Sequence, residues 1–444
     1  MKKIKFIDLF AGIGGIRLGF ESAFHKAGLY TECVMTSEIK PAAVATLHHN
    51  FPHNYFVGDI TEVKIEQIPE FDFLLGGFPC QPFSAGGKRQ GFMDTRGTLF
   101  FSIEKILAEK KPYGFILENV EGLVRHDLEH KHDKIGRTLS VILNNLQQLG
   151  YEVNYRVLDA SEFDLPQARK RVYIVGTKSE KISLNGFERK HKKLREILES
   201  GLKTMDTKFT RLLLDNFELE SLYGKSIKDK RGGDNNIHSW DIGLKGAISN
   251  EQSILLSNLF KQRRKKNWAS LIGIKWMDGM ALTLKQISSF HRSDHLEQML
   301  DDLVKKGYLK FEHPKKLVTE ITEVGVKTTR VQDPTLPKGY NIVSGKLSFE
   351  INKVLDPNGI TPTLVATDMA RFVVPDDKGL RRLTLREGLR LFGYPEDFVL
   401  PVPVNEGFDL LGNTVAVNVI KAIGERLIKP YIKYQDSGVK QAVC

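Results

Sequence analysis

The stretch that most constrains this fold is Phe10-Ala11-Gly12-Ile13-Gly14-Gly15, because of what stands on either side of it. Lys2 to Leu9 alternates and is rich in Ile and Phe, as a strand is. Beyond the glycines, Ile16, Phe20, Ala23, Phe24 and Ala27 recur at helical spacing, and Gly28 is a stop. Strand, glycine loop, helix is a nucleotide-binding opening, since glycines let the backbone approach a ligand. A dinucleotide fingerprint would need a third glycine at position 17, where Arg17 stands, so a flavin or nicotinamide enzyme is disfavoured. The rhythm then repeats. Thr31 to Thr36, Phe56 to Ile60, Phe71 to Leu75, Gly114 to Val120, Tyr151 to Leu158 and Arg171 to Gly176 read as strands, with Pro41 to His49, Thr98 to Lys110 and Ile135 to Leu149 as helices. Such alternation predicts an α/β fold with a doubly wound, mostly parallel sheet.

Chemistry-bearing residues fall at the strand ends. Glu38 and Asp59 follow successive strands; either alone is an ordinary surface acid, but beside a glycine loop the pair points to an adenosine-containing cofactor. Gly76-Gly77-Phe78-Pro79-Cys80-Gln81-Pro82-Phe83-Ser84 puts a cysteine between prolines after another strand, and prolines reduce a loop's freedom. A lone cysteine is more often a small buried hydrophobe. Glu118, at the end of the next strand, turns the reading toward a positioned nucleophile. The three cysteines, Cys33, Cys80 and Cys444, form no Cys-x-x-Cys pair, which argues against a disulfide framework and a zinc site. His126, His130 and His132 with Glu129 read as a polar loop, and no metal is expected.

From about residue 180 the alternation stops and lysine and arginine rise. The formal net charge of +11 is concentrated in clusters at Arg189 to Arg195, Lys225 to Arg231 and Lys261 to Lys266. Trp240, Trp268 and Trp276 lie in the same region, and basic residues interleaved with aromatics suit nucleic-acid contact, core packing being the alternative for any one tryptophan. Within it Leu282 to Phe290, Asp294 to Lys306 and Tyr308 to Glu312 read as helix, helix and strand, a winged-helix-like fragment. Ser84 to Gly97 reads as a basic, glycine-rich loop able to close over a phosphate backbone. Leu410 to Val417 leads into an apolar helix through Leu427 that matches the first region in character. The expected division is therefore 1–180 and 361–444 as one domain with 181–360 inserted. No apolar run is long enough to span a bilayer and the basic start has no cleavage signature, so a cytoplasmic protein with no membrane partner is expected.

Taken in order, these segments resemble the cytosine-C5 DNA methyltransferases of bacterial restriction–modification systems. Phe10 to Gly15, Glu38, Asp59, Pro79-Cys80-Gln81, Glu118-Asn119-Val120 and Gln167-Ala168-Arg169-Lys170-Arg171 carry the likeness. So do Arg381 to Glu387, Phe392-Gly393-Tyr394-Pro395 and Gly412-Asn413-Thr414-Val415. The resemblance implies a Rossmann-like catalytic domain with an inserted target recognition domain at 181–360, and S-adenosylmethionine as cofactor. It implies double-stranded DNA as substrate, a monomer, and a restriction endonuclease as functional partner. By the same resemblance Cys80, Glu118, Arg169 and Arg171 are catalytic, with the two arginines on the O2 edge of the base and nearby backbone. Phe10, Gly12, Ile13, Gly14, Glu38, Ile39, Asp59, Ile60, Pro79, Leu99, Asn413 and Thr414 then line the cofactor. An RNA cytosine-C5 methyltransferase would share the set but carry a Cys-Phe-Thr tripeptide that is absent here. A noncatalytic DNA-binding regulator would not explain Cys80 with Glu118.

Overall fold

The computed structural model describes residues 3–78, 98–128, 130, 132–229, 232–274, 279–322, 325–343, 349–365 and 369–438. Two compact units emerge: Met1–Glu199, Asp356–Ala370 and Leu383–Cys444 form the first, Ser200–Leu355 and Arg371–Arg382 the second. Residues 181–199 thus pack with the first unit, and the Phe372–Asp376 and Gly379–Arg382 hairpin with the second. Those bounds differ from 180 and 360 because the segment at 181–199 is irregular, with Ile182 and Leu184 buried in the first unit's core and no helical or strand period to betray it.

In the first unit seven strands make one sheet: β1 (Ile4–Leu9), β2 (Thr31–Ser37), β3 (Phe56–Val57), β4 (Phe73–Gly76), β5 (Gly114–Val120), β6 (Glu152–Asp159) and β7 (Lys170–Thr177). Their order is β3-β2-β1-β4-β5-β7-β6. All neighbours as far as β5 run parallel, whereas β7 is antiparallel to both β5 and β6, because a short loop rather than a crossover helix joins β6 to β7. β3 is only two residues long, and Asp59 starts a 3₁₀ turn where a longer strand is expected. Helices α1 (Gly15–Lys26), α2 (Pro41–Asn50), α3 (Thr98–Lys110) and α4 (Arg137–Gln148) connect the strands.

Two apolar cores sandwich the sheet. One face holds Phe6, Phe20, Phe24, Phe73 and, from the chain's return, Val419, Ile420 and Ile423; the other holds Ile7, Leu74, Ile103, Leu117 and Ile142. The returning helix, Val417–Asp436, lies against α1, and a Cβ at Gly19 would stand 2.6 Å from Ile420 Cβ, so that contact needs glycine. β1 has β2 on one side and β4 on the other, so the order reverses there. Open α/β sheets bind ligands outside the carboxyl ends of the strands at such a reversal.

The second unit has two cores. One, with Phe209, Leu213, Ile227, Val354 and Val373, backs a five-stranded sheet; the other gathers Leu255, Leu259, Leu282, Leu300, Leu309 and Ile342. Trp240 is buried in the latter and stacked on His238, so it serves packing rather than nucleic-acid contact, and the half-buried Trp268 packs against the same core. Trp276 lies outside the described residues. Arg263 is also internal: it is buried and donates to Asn341 Oδ1 at 2.8 Å, which removes it from the exposed basic cluster of Lys261, Arg264, Lys265 and Lys266. Among the described residues no helix is long and apolar enough to cross a membrane.

Candidate active site

Expected residues stand at the carboxyl ends of β1, β2, β3 and β5. Phe10 opens the loop after β1 with φ +54°, a conformation costly for a residue with a Cβ, and Gly12 and Gly14 also have positive φ. Ile13 is buried, while a side chain at Gly12 would meet open space. Glu38 ties the loop to β2. Its Oε2 accepts from Gly12 N at 2.7 Å, and its Oε1 from Ile39 N at 2.9 Å and Lys40 N at 2.8 Å. Ile39 stands beside it 70% exposed, a large apolar side chain left open to a flat ligand. Asp59 is exposed, but its Oδ1 caps the next turn, accepting from Thr61 N at 2.8 Å and Thr61 Oγ1 at 2.7 Å. Ile60 is buried in the core under it and Leu99 is half-buried in the first turn of α3. Together an acid on the glycine loop, an open glycine, an exposed apolar side chain and a second acid suit an adenosine.

β4 and β5 bring the second group together. Glu118 is buried on β5, and its Oε1 lies 3.2 Å from Arg171 Nε on the antiparallel β7. Burial pushes the Glu118 carboxyl above its usual range, against the opposing pull of Arg171 and then Arg169. A Cβ at Gly77 would be 3.7 Å from Glu118 Oε2, so this acid sits against the end of the strand that leads to the cysteine. Asn119, which sequence reasoning left without a role, donates from Nδ2 to Phe78 O at 3.1 Å and so holds the last described residue before the loop. Pro79, Cys80 and the loop from Ser84 to Gly97 lie outside the described residues.

The structure separates Arg169 from Arg171. The buried Arg169 guanidinium donates to the carbonyls of Leu364 and Thr414 and lies over the Phe392 ring at 5.1 Å, which fits a brace better than a contact with a base. Gln167 is likewise internal, donating to Leu391 O at 3.0 Å. Asn413 and Thr414 stand where the helix Val404–Asn413 breaks before Val417–Asp436. Asn413 is exposed, with Nδ2 bonded back to Asp409 O at 2.8 Å; Thr414 is buried, with Oγ1 on Tyr394 Oη. A Cβ on Gly15 would stand 2.6 Å from that Tyr394 Oη, so the returning segment presses on the start of α1.

Asp8 is the residue the sequence reading overlooked; its signal was an acid inside the apolar run Ile7-Asp8-Leu9. It is fully buried on β1 with both oxygens lacking hydrogen bonds, and burial lifts its pKa to about 7, with Arg17 pulling the other way. Arg17 itself is internal, bonded to Glu21 at 3.0 Å and stacked on Phe51. Because the folded pKa is raised, the Asp8 contribution to stability is present below the unfolded value near 4 and is lost as pH rises through about 7. Asp8→Asn is therefore expected to match the wild type in thermal unfolding near pH 4 and to be more stable at pH 8, by order of a few kcal/mol. Equal melting temperatures at pH 8 would show that the carboxylate is satisfied when charged.

Three comparisons bear on this arrangement. A family model described as C-5 cytosine-specific DNA methylase matches residues 4–429. The Type II methyltransferase M.NlaIV of Neisseria lactamica is 57% identical over 428 residues, 96% of this chain and 99% of that protein. M.BanI of Aneurinibacillus aneurinilyticus, also named a Type II methyltransferase, is 41% identical, covering 96% of each. A crystal structure of a prophage-encoded E. coli protein, described as a DNA modification methyltransferase, superposes with a TM-score of 0.53 at 20% identity, over 97% of this chain and 100% of that one.

Proposed function

The chain belongs to the C-5 cytosine-specific DNA methylases and methylates cytosine C5 in DNA; from that premise we propose that the groups at the sheet's reversal carry the reaction, with Cys80 as nucleophile and Glu118 as acid. The observation that supports it most is the Glu118–Arg171 pair set against Gly77, three residues before Cys80. We further propose the first unit as the catalytic domain, the second as the target recognition domain, and duplex DNA as substrate. The protein would be the modification partner of a restriction endonuclease, as the names of its relatives suggest.

The residues fit S-adenosylmethionine as methyl donor. Glu38 would take a ribose hydroxyl on the lone pair left on Oε2, Ile39 would cover the adenine, Asp59 would accept from its amino group, and Phe10, Gly12 and Gly14 would shape the wall. When bound, this cofactor supplies an electrophilic methyl group. Cytosine C5 is a poor nucleophile, but addition of the Cys80 thiolate to C6 makes the ring an enamine that is nucleophilic there. The negative charge that reaches N3 meets the protonated Glu118 carboxyl, while Arg171 holds that carboxyl in place and Arg169 braces the returning segment. A base then removes the C5 proton and the thiolate leaves. C6 is shielded in a duplex, so the cytosine is flipped out at a cost of about a few kcal/mol. Incubation with methyl-labelled S-adenosylmethionine and duplex DNA, followed by nucleoside analysis, should yield labelled 5-methylcytosine; label only in RNA would overturn the substrate.

Glu38 offers a test of the cofactor side. Alanine would strip acceptors from three backbone N–H groups at once, so Glu38→Gln is the cleaner variant: it keeps one acceptor and the side chain's length. Calorimetry should show S-adenosylmethionine binding weakened by about 1 to 3 kcal/mol. Unchanged affinity would remove Glu38 from the site.

A further inference from the structure

Within the second unit, helix Asn250–Gln262, helix Leu284–Ser288, helix Leu296–Lys305 and the antiparallel strands Leu309–Glu312 and Gly339–Ile342 share one core. Leu282 bridges to Tyr340 beside them. Between the two strands the chain runs out into an antiparallel ribbon, Lys315–Thr322 with Gly325–Gln332, whose strands make a two-stranded sheet of their own. Helices, strand, ribbon and strand in this order extend the winged-helix-like fragment read from the sequence. In such a module either the last helix or the ribbon can meet DNA, and charge decides between them.

The helix is the wrong sign. Of the ionisable residues in Leu296–Lys305, Glu297, Asp301 and Asp302 are acidic and only Lys305 is basic. Its aspartates are also spent inside the module: Asp301 accepts from Tyr340 Oη at 2.9 Å, and Asp302 from Gln252 Nε2 at 2.7 Å and Lys306 Nζ at 2.6 Å. An acidic surface would be repelled by phosphate.

The ribbon has one face of the right sign. Strand side chains alternate, and directly opposed residues share a face. The register pairs Lys315 with Gln332, Leu317 with Arg330, and Thr319 with Thr328. These six therefore line one face, which holds a lysine, an arginine, a glutamine and two threonines and no acid. Thr319, Thr328, Arg330 and Gln332 are exposed, and Leu317 is 49% exposed. The opposite face carries Glu320 across from Lys327, and there Lys316 pairs with Asp333 at 3.4 Å, so its cations are matched by acids. A two-stranded β-ribbon fits the major groove of B-DNA, where arginine pairs with guanine, glutamine with adenine, and apolar groups meet the thymine methyl.

We infer that this ribbon enters the major groove of the substrate duplex with the Lys315, Leu317, Thr319, Thr328, Arg330 and Gln332 face toward the bases, and that Arg330 and Gln332 set the sequence methylated. The inference rests on the reading of duplex DNA as substrate and names the surface that reads it. Its test uses the full-length protein and duplexes containing the wild-type methylation site or that site with single bases changed. Arg330→Ala and Gln332→Ala are compared with Lys316→Ala on the opposite face, and circular dichroism confirms folding. Each of the first two should lower kcat/KM at the wild-type site about 10- to 100-fold and narrow the gap to a singly changed site, at a different base for each residue. Lys316→Ala should leave that ratio unchanged. An unchanged site preference in folded Arg330→Ala and Gln332→Ala would overturn the inference. So would a uniform loss across all sequences with a shallower salt dependence, which marks phosphate contact alone. Failure of the wild type to methylate any duplex in the same assay would instead strike the substrate reading.

Discussion

A duplex carrying 5-fluorocytosine at the target position is expected to become covalently trapped on the enzyme, because fluorine cannot leave as a cation and the adduct formed through Cys80 cannot resolve after methyl transfer. The complex should survive denaturing electrophoresis, require S-adenosylmethionine to reach its methylated form, and map by peptide mass to Cys80. Cys80→Ser should abolish the trapped complex and lower methyl transfer by at least about 10³-fold, since a hydroxyl without a dedicated base is a weak nucleophile near neutral pH. Cys33 is the useful contrast. It is buried on β2, and burial pushes its thiol up to about 12, so it stays protonated and inert. Cys33→Ser should trap DNA as the wild type does. An adduct mapping elsewhere, or undiminished methylation by Cys80→Ser, would overturn the assignment.

Much of this was legible in the sequence because periodicity and strand-end chemistry are local. The strand, glycine loop and helix at residues 4–26 follow the pattern of Ile7, Leu9, Ile16 and Phe20, and Glu38 falls at the end of β2 as alternation predicts. The segment Thr384 to Glu387 shows why a motif alone does not give a role. Thr384 accepts from Glu387 N and Glu387 from Thr384 N, a reciprocal cap, and the buried Glu387 also accepts from Glu199 N at 2.8 Å. What the sequence hid is long-range. Arg169 and Arg171 look equivalent two residues apart, yet Arg169 lies in the irregular segment before β7 (Lys170–Thr177) and only Arg171 belongs to the strand. One braces Thr414, 245 residues away, and the other reaches Glu118. Arg263 sits in a run of cations and is nonetheless inside, because its partner Asn341 lies 78 residues on. No local period encodes such pairings.

Glu118 should prove nearly as sensitive as Cys80, and for a reason that pH can expose. Its proposed task is to give a proton to N3 as charge develops, which only the neutral carboxyl can do. Burial is the largest influence on it and favours that neutral form; Arg171 and Arg169 oppose it without reversing the direction. The proton is therefore kept to higher pH than an ordinary glutamate allows, and kcat/KM should fall on the alkaline side as it is lost. Glu118→Gln keeps the shape but cannot transfer a proton, so kcat is expected to drop about 10²- to 10⁴-fold, with that limb of the profile gone. The variant should fold: a raised folded pKa means that wild-type stability is lost as pH rises through it, a loss neutral glutamine does not share. Arg171→Ala gives the sign a second check. With the cation 3.2 Å away removed, burial acts with less opposition and the alkaline limb should move to higher pH. Rate profiles across pH for the three proteins decide the matter. A Glu118→Gln enzyme that retains wild-type kcat, or an Arg171→Ala limb displaced to lower pH, would remove Glu118 from the role of acid.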